Sequence, residues 1–348
     1  MADRDRSVAA PHRLRAGLLV LAAMAACQKP ATVRALTDNT APNGYPTGPI
    51  TAFAPKGSPL TEARAKLGRR LFYDKLLSRT GAIACASCHR QEHAFADPAT
   101  VSKGVDGRVG TRNAPALVNR VWSSSFFWDG RASSLEDLVG QPIENPLEMD
   151  LPLARAVAAI GRDYTYVRDF ATAFAGAPLS AETLRQALAS FVRTLVSGNS
   201  PYDRHLRGDD RQFGTAALRG EALFFGTGGC FRCHPGGTLT NDGYFNNGTY
   251  VAGGDRGRQA LTGRSGDLGK FKVPTLRNIA VSAPYMHDGS LATLQEVIDQ
   301  YVRGGRGDRA ADPLIKPLPL SDGDKADLIA FLGSLTDTEF LTDVRYKP

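Results

Sequence analysis

The sequence predicts a mainly α-helical chain built as two similar helical domains in tandem. Three observations predict it. The pentapeptide C-x-x-C-H occurs twice, at Cys85-Ala86-Ser87-Cys88-His89 and at Cys230-Phe231-Arg232-Cys233-His234. The residues around the two copies repeat as well. The apolar residues before, between and after them fall at helical spacing.

The first helix is read before the first pentapeptide. Thr61 is its cap, Leu67 and Leu71 lie four apart on one face, and Gly68-Arg69-Arg70-Leu71-Phe72 ends it. Its counterpart, Gly220-Glu221-Ala222-Leu223-Phe224, precedes the second pentapeptide. Downstream, Trp128-Asp129-Gly130 leads to Ser134-Leu135-Glu136-Asp137-Leu138-Val139. His287-Asp288-Gly289 leads to Thr293-Leu294-Gln295-Glu296-Val297-Ile298. These two stretches align without a gap at an offset of 159. Ser134 and Thr293 are expected helix caps with an acid three residues on, as in a capping box. Leu184, Leu188, Phe191, Val192 and Leu195 mark an amphipathic helix within 180–197. A last helix starts near Ser321, with Leu328, Ile329, Phe331, Leu332 and Leu335 inward. The Gly- and polar-rich stretches 101–115, 201–215 and 236–270 carry no assigned structure.

The pentapeptides fix the chemistry. Two thiols on one turn add to the two vinyl groups of a haem, and the adjacent His lands under the iron. The spacing therefore reads as two covalently bound haem c groups. They are attached through Cys85 and Cys88 and through Cys230 and Cys233, with His89 and His234 as iron ligands. A structural zinc site would need paired C-x-x-C units close in sequence; these lie 145 residues apart. Each half is thus expected to be a class-I-cytochrome-c-like helical domain with its own haem.

The 348 residues are enough for about two domains, and 42% apolar content excludes wholesale disorder. Five cysteines are too few for a disulfide scaffold. The formal charge of +7 is scattered, and no aromatic-basic motif points to nucleic acid. Residues 1–27 read as a targeting segment: Arg13 and Arg15, eleven apolar residues from Ala16 to Ala26, then Cys27. Met24-Ala25-Ala26 before Cys27 resembles a bacterial lipobox, so Cys27 is the expected point of a lipid anchor. A plain signal peptide with an incidental Cys is the alternative. Either places the mature protein in the periplasm. Residues 28–58 read as a linker or arm, 59–208 as the first haem domain and 209–348 as the second.

The halves differ where a second axial ligand would come from. At the offset of 159, Tyr301 faces Pro142. A phenolate can bind iron, and a proline side chain cannot. The repeat thus suggests one closed haem and one open haem.

Further motifs carry a resemblance to the bacterial dihaem cytochrome c peroxidase and MauG family. They are Val105-Asp-Gly-Arg-Val-Gly-Thr-Arg112-Asn113-Ala-Pro115, Phe127-Trp128-Asp129-Gly130-Arg131-Ala132 and Asn145-Pro146-Leu-Glu148-Met149. Lys272-Val-Pro-Thr-Leu-Arg277-Asn278 through Ala283-Pro-Tyr-Met-His287-Asp-Gly289 completes the set. It covers about residues 59 to 345. The resemblance implies a peroxidatic haem in the first domain, an electron-transfer haem in the second and a calcium ion between them. It implies Trp128 as an electron or hole relay and Glu148 as the distal-pocket acid. It implies Asn113 and the carbonyls of Ser282 and Pro284 as calcium ligands. Val105 stands where reductively activated members place a removable histidine. Tyr301 stands where they place methionine, as in MauG; Met286 is the alternative ligand. Leu138 stands where many members have a distal glutamine. His93 lies close to His89, too close to reach the opposite haem face easily.

The function expected is hydrogen peroxide reduction at the open haem, with Glu148 moving the proton that O–O cleavage requires. Electrons would come from a small periplasmic cytochrome c or copper protein. The alternatives are a MauG-like oxidase acting on a partner protein, and a dihaem electron carrier without enzymatic activity.

Overall fold

The structure, a computed structural model, describes residues 45–308 and 310–348. The targeting segment, the lipobox Cys27 and most of the linker lie outside the described residues.

The chain is mainly helical, and two helix trios dominate it. In the first half these are α1 (Glu62–Phe72), α2 (Leu135–Glu144) and α3 (Ala181–Thr194). In the second they are α4 (Thr215–Phe225), α5 (Leu294–Val302) and α6 (Asp322–Gly333). Local chemistry sets their starts. The Thr61 hydroxyl accepts from the Arg64 N–H, and Ser180, Thr293 and Ser321 form reciprocal caps with Thr183, Glu296 and Asp324. Ser134 caps α2 by accepting from the Asp137 N–H. The Asp137 carboxylate turns instead to the Ser133 N–H and the Gln141 amide, leaving the box on Ser134 open. Within the unassigned stretches, Pro201–His205 forms a short capped helix. Tyr244–Phe245 pairs antiparallel with Phe271–Lys272.

Within each half the first helix crosses the third at a glycine. A Cβ on Gly68 would sit 1.9 Å from the Ala187 carbonyl oxygen, and one on Gly220 would sit 2.0 Å from that of Asp327. Only glycine lets the backbones approach so closely. Around the first crossing Leu71, Phe72, Leu184, Leu188 and Phe191 are buried; around the second, Ala217, Phe224, Leu328, Phe331 and Leu332 are. Each such aromatic or leucine contributes about 1.5–3 kcal/mol on burial. The end of the chain returns to the first core, where Phe340 and Tyr346 pack on Phe95.

The halves meet about a pseudo-twofold. The Asn113 N–H donates to the His287 carbonyl at 2.8 Å, and the Lys272 N–H donates to the Trp128 carbonyl at 2.7 Å. Asn113 and Lys272 are repeat mates, as are Trp128 and His287. Asn119 and Asn278 share one left-handed conformation (φ 60, ψ 24). Their side chains accept from the backbone N–H groups of Ser197 and Asp337.

Candidate active site

Cys85–Cys88 forms one helical turn after an extended Ala84, so both thiols lie on one side of it. His89 follows. Its Nδ1–H donates to the Phe95 carbonyl at 2.7 Å. In the second half Cys230–Arg232 forms a 3-10 turn, and the His234 Nδ1–H donates to the Leu239 carbonyl at 3.0 Å. Phe95 and Leu239 both have positive φ (59 and 50), which turns their carbonyls back onto the rings. A histidine whose Nδ1 is fixed in this way presents the Nε2 lone pair to a metal. Burial holds both rings below the usual range, His234 down to about 4, so both are neutral and fit to ligate. The donor set fits two haem c groups. An open surface cavity of about 600 Å³ beside His89 is lined by Tyr73, Arg90, Glu92 and Lys347, and neither Cys85 nor Glu148 lines it.

Different side chains face the two motifs. Glu148 is mostly buried near the first. Burial pushes the Cys85 and Cys88 thiols up, and the Glu148 carboxylate adds to the push on both. Burial also raises the Glu148 carboxyl, against the pull of Asn145 and Arg131. Asn145 Nδ2 donates to Glu148 Oε1 at 2.6 Å, and the Val105 N–H donates to the Glu148 carbonyl at 2.8 Å. A Cβ on Gly104 would strike the Leu147 carbonyl oxygen at 2.1 Å, so glycine permits this contact. Val105 is buried, and Leu138 and Phe127 flank the first core. His93 is drawn away to the other half, its Nδ1–H donating to the Val281 carbonyl at 2.9 Å.

Tyr301 faces the second motif. Burial pushes its hydroxyl up to about 12; Asn247 pulls it down, and Cys233 and Cys230 push it up. Met286 Sδ is on the same spot: Asn247 Nδ2 reaches it at 3.2 Å and the Tyr301 hydroxyl at 3.3 Å. Both ligand candidates therefore lie within reach of one amide nitrogen. No sequence pattern points to Asn247, which lies in a loop without periodicity.

Trp128 sits at the junction, its Nε1–H donating to the Asn113 carbonyl at 2.8 Å. The Asn113 amide nitrogen donates to the carbonyls of Ala99 and Thr100. Ser282 and Pro284 lie in the segment that ends at His287, to which Asn113 is bonded. Among the described residues no cluster of three His, Cys, Asp or Glu side chains stands ready for a metal, so an ion here would rest on amide and carbonyl oxygens.

Two haem-attachment motifs, each with an oriented histidine, in a mainly helical chain define a dihaem c-type cytochrome. Comparison with known proteins narrows this. Residues 62–211 match the family model described as di-haem cytochrome c peroxidase. The chain is 38% identical over 284 residues to the methylamine utilization protein MauG of Methylorubrum extorquens, covering 81% of this chain and 80% of that one. It is 32% identical to the cytochrome c551 peroxidase of Pseudomonas aeruginosa, covering 81% of each. A solved MauG-like protein associated with microbial copper homeostasis superposes with a TM-score of 0.81 at 37% identity, over 84% of this chain and 95% of that one. The chain belongs to the dihaem cytochrome c peroxidase and MauG family.

Proposed function

We propose that the protein is a periplasmic dihaem peroxidase that reduces hydrogen peroxide at its first haem and passes electrons or holes through Trp128 to its second. The unequal furnishing of the two motifs carries this reading. An acid, Glu148, faces Cys85 and Cys88, and a phenol, Tyr301, faces Cys230 and Cys233.

A haem held by Cys85, Cys88 and His89 would supply the iron that polarises peroxide and gives electrons to it; a haem held by Cys230, Cys233 and His234 would supply the second redox centre. The chain does the rest. Pro142, Val105 and Leu138 offer no ligating atom, so none of the three would compete with peroxide for the first iron. Glu148 takes the proton from the near peroxide oxygen and returns it to the far one. Its raised carboxyl pKa brings it closer to that of a working acid–base group near neutral pH. The hydrogen bond from Asn145 fixes which carboxylate oxygen stays free. Trp128, bonded to Asn113 and Lys272 across the junction, is held rigidly between the two halves. Tyr301 would hold the second iron as phenolate, because an adjacent ferric charge would override the upward push of burial. Arg277 Nη2, buried without an acceptor, suits a haem propionate.

A calcium ion bound by Asn113 Oδ1 and the Ser282 and Pro284 carbonyls would tie the halves together. The haem domains divide near 208 and 209. The 28–58 arm leads from a lipobox anchor at Cys27 in the membrane; no helix among the described residues is long and apolar enough to cross one.

Tyr301 also supports a second reading, oxidation of residues of a partner protein, because a phenolate favours high oxidation states of iron. For the first reading the donor is a small cytochrome c or copper protein. Stopped-flow mixing of the oxidised protein with peroxide tests the proposal. A fast spectral change at one haem without prior reduction supports it; an inert spectrum makes the protein an electron carrier.

A further inference from the structure

We infer that Asn247 is the residue that selects Tyr301 over Met286 as the ligand of the second haem iron. The inference rests on the reading of Tyr301 as a ligand.

The geometry is specific. One carboxamide nitrogen serves two acceptors, Met286 Sδ at 3.2 Å and Tyr301 Oη at 3.3 Å. An amide NH₂ has two hydrogens, so both contacts form together. The other end of the amide is fixed. Asn247 Oδ1 accepts from the Thr249 hydroxyl at 2.6 Å and from the Thr249 N–H at 3.4 Å. That bond sets which end of the amide faces the two candidates. Met286 is itself held in a left-handed backbone conformation (φ 74), and its repeat mate, Phe127, has the same one (φ 62). The turn is therefore scaffold, and the thioether is the part that changed.

Two consequences follow from the chemistry. A hydrogen bond to the thioether occupies a sulfur lone pair that iron would use. A hydrogen bond to the phenolate oxygen withdraws charge from it and weakens its donation to Fe(III). Groups around a metal ligand tune it in this way. Asn247 therefore holds sulfur off the iron and keeps the Tyr301 haem potential higher than a bare phenolate would.

The test uses the full holoprotein with both haems in place. Electron paramagnetic resonance and spectroelectrochemical titration of the second haem are measured for wild type, Asn247→Leu, Thr249→Val, and Asn247→Leu combined with Met286→Leu. Asn247→Leu should split the second haem into two species, one tyrosinate-ligated and one thioether-ligated. Adding Met286→Leu should leave only the tyrosinate species. Its Fe(III)/Fe(II) equilibrium should lie about tenfold towards Fe(III) relative to wild type, about 59 mV for one electron. Thr249→Val should move the same signals less, and it keeps the test open if Asn247→Leu fails to fold. Unchanged spectra and potential in Asn247→Leu, or in Thr249→Val if only that folds, would overturn the inference. Tyr301→Phe separates the two levels. If it leaves the second haem unchanged, the ligand reading itself fails; if it alters the haem while Asn247→Leu does not, only the role of Asn247 fails.

Discussion

The two halves hold their parts in the same way and furnish them differently. Each crosses its first and third helices at a glycine, Gly68 or Gly220. Each orients a histidine with the carbonyl of a positive-φ residue, Phe95 or Leu239. Each uses an asparagine, Asn119 or Asn278, to receive the strand leaving its third helix. The divergence lies at repeat positions near the metal and the junction: Pro142 against Tyr301, Phe127 against Met286, Trp128 against His287, Asn113 against Lys272. Duplication thus kept the residues that hold a cofactor and freed those that decide what it does.

The largest expected effect removes one half's cofactor. Replacing Cys85 and Cys88 with Ala should leave one covalent haem and abolish the peroxide reaction. Replacing Cys230 and Cys233 should leave the other haem, still reactive with peroxide. Pyridine haemochrome assay and stopped-flow spectra of both variants check this; equal loss of peroxide reactivity would erase the distinction between the halves.

Glu148→Gln should slow the reaction by about 10²–10⁴-fold, the range of acid–base assistance, with both haems retained. A loss of only a few fold would move the proton to another group. Legibility in the sequence divides along the same line as these effects. The haem motifs, the position of Tyr301 and the helix caps were readable because each is a local pattern or a repeat mate, whereas Glu148 was singled out only through the family resemblance. Asn145 was visible inside a motif, but its bond to Glu148 depends on how the chain turns at Leu147. Asn247 and the packing of Phe340 and Tyr346 on Phe95 were not readable, because they join residues dozens to hundreds apart with no periodicity.

A third comparison sets one buried ion pair against the other. Arg277 of the second domain and Asp203, near the end of the first, are 2.7 Å apart and have no exposed side-chain surface. Arg193 grips Glu136 with two bonds of 2.8 Å in the first, where Glu136 keeps 18% exposure. Arg277→Leu should destabilise by about 3–5 kcal/mol, the cost of a stranded buried charge, and Arg193→Leu by less. Denaturant unfolding followed at each haem band orders the two; the reverse order would contradict the burial argument.

The smallest effect is on pH. Burial raises the Glu148 carboxyl, so it gains a proton at a higher pH than an ordinary glutamate. A protonated Glu148 cannot accept the peroxide proton, so the rate should fall as pH drops through that raised value, at a higher pH than for an ordinary glutamate. The limb should vanish in Glu148→Gln. Persistence of the same limb in that variant would assign it elsewhere.

An open first haem and a closed second haem in the oxidised protein would have distinct magnetic signatures. Electron paramagnetic resonance, before and after cyanide and without any reductant, tests this difference most directly. One high-spin signal that cyanide converts to low-spin is expected, beside a second signal that cyanide leaves untouched. Two low-spin signals that respond only after one-electron reduction would contradict it.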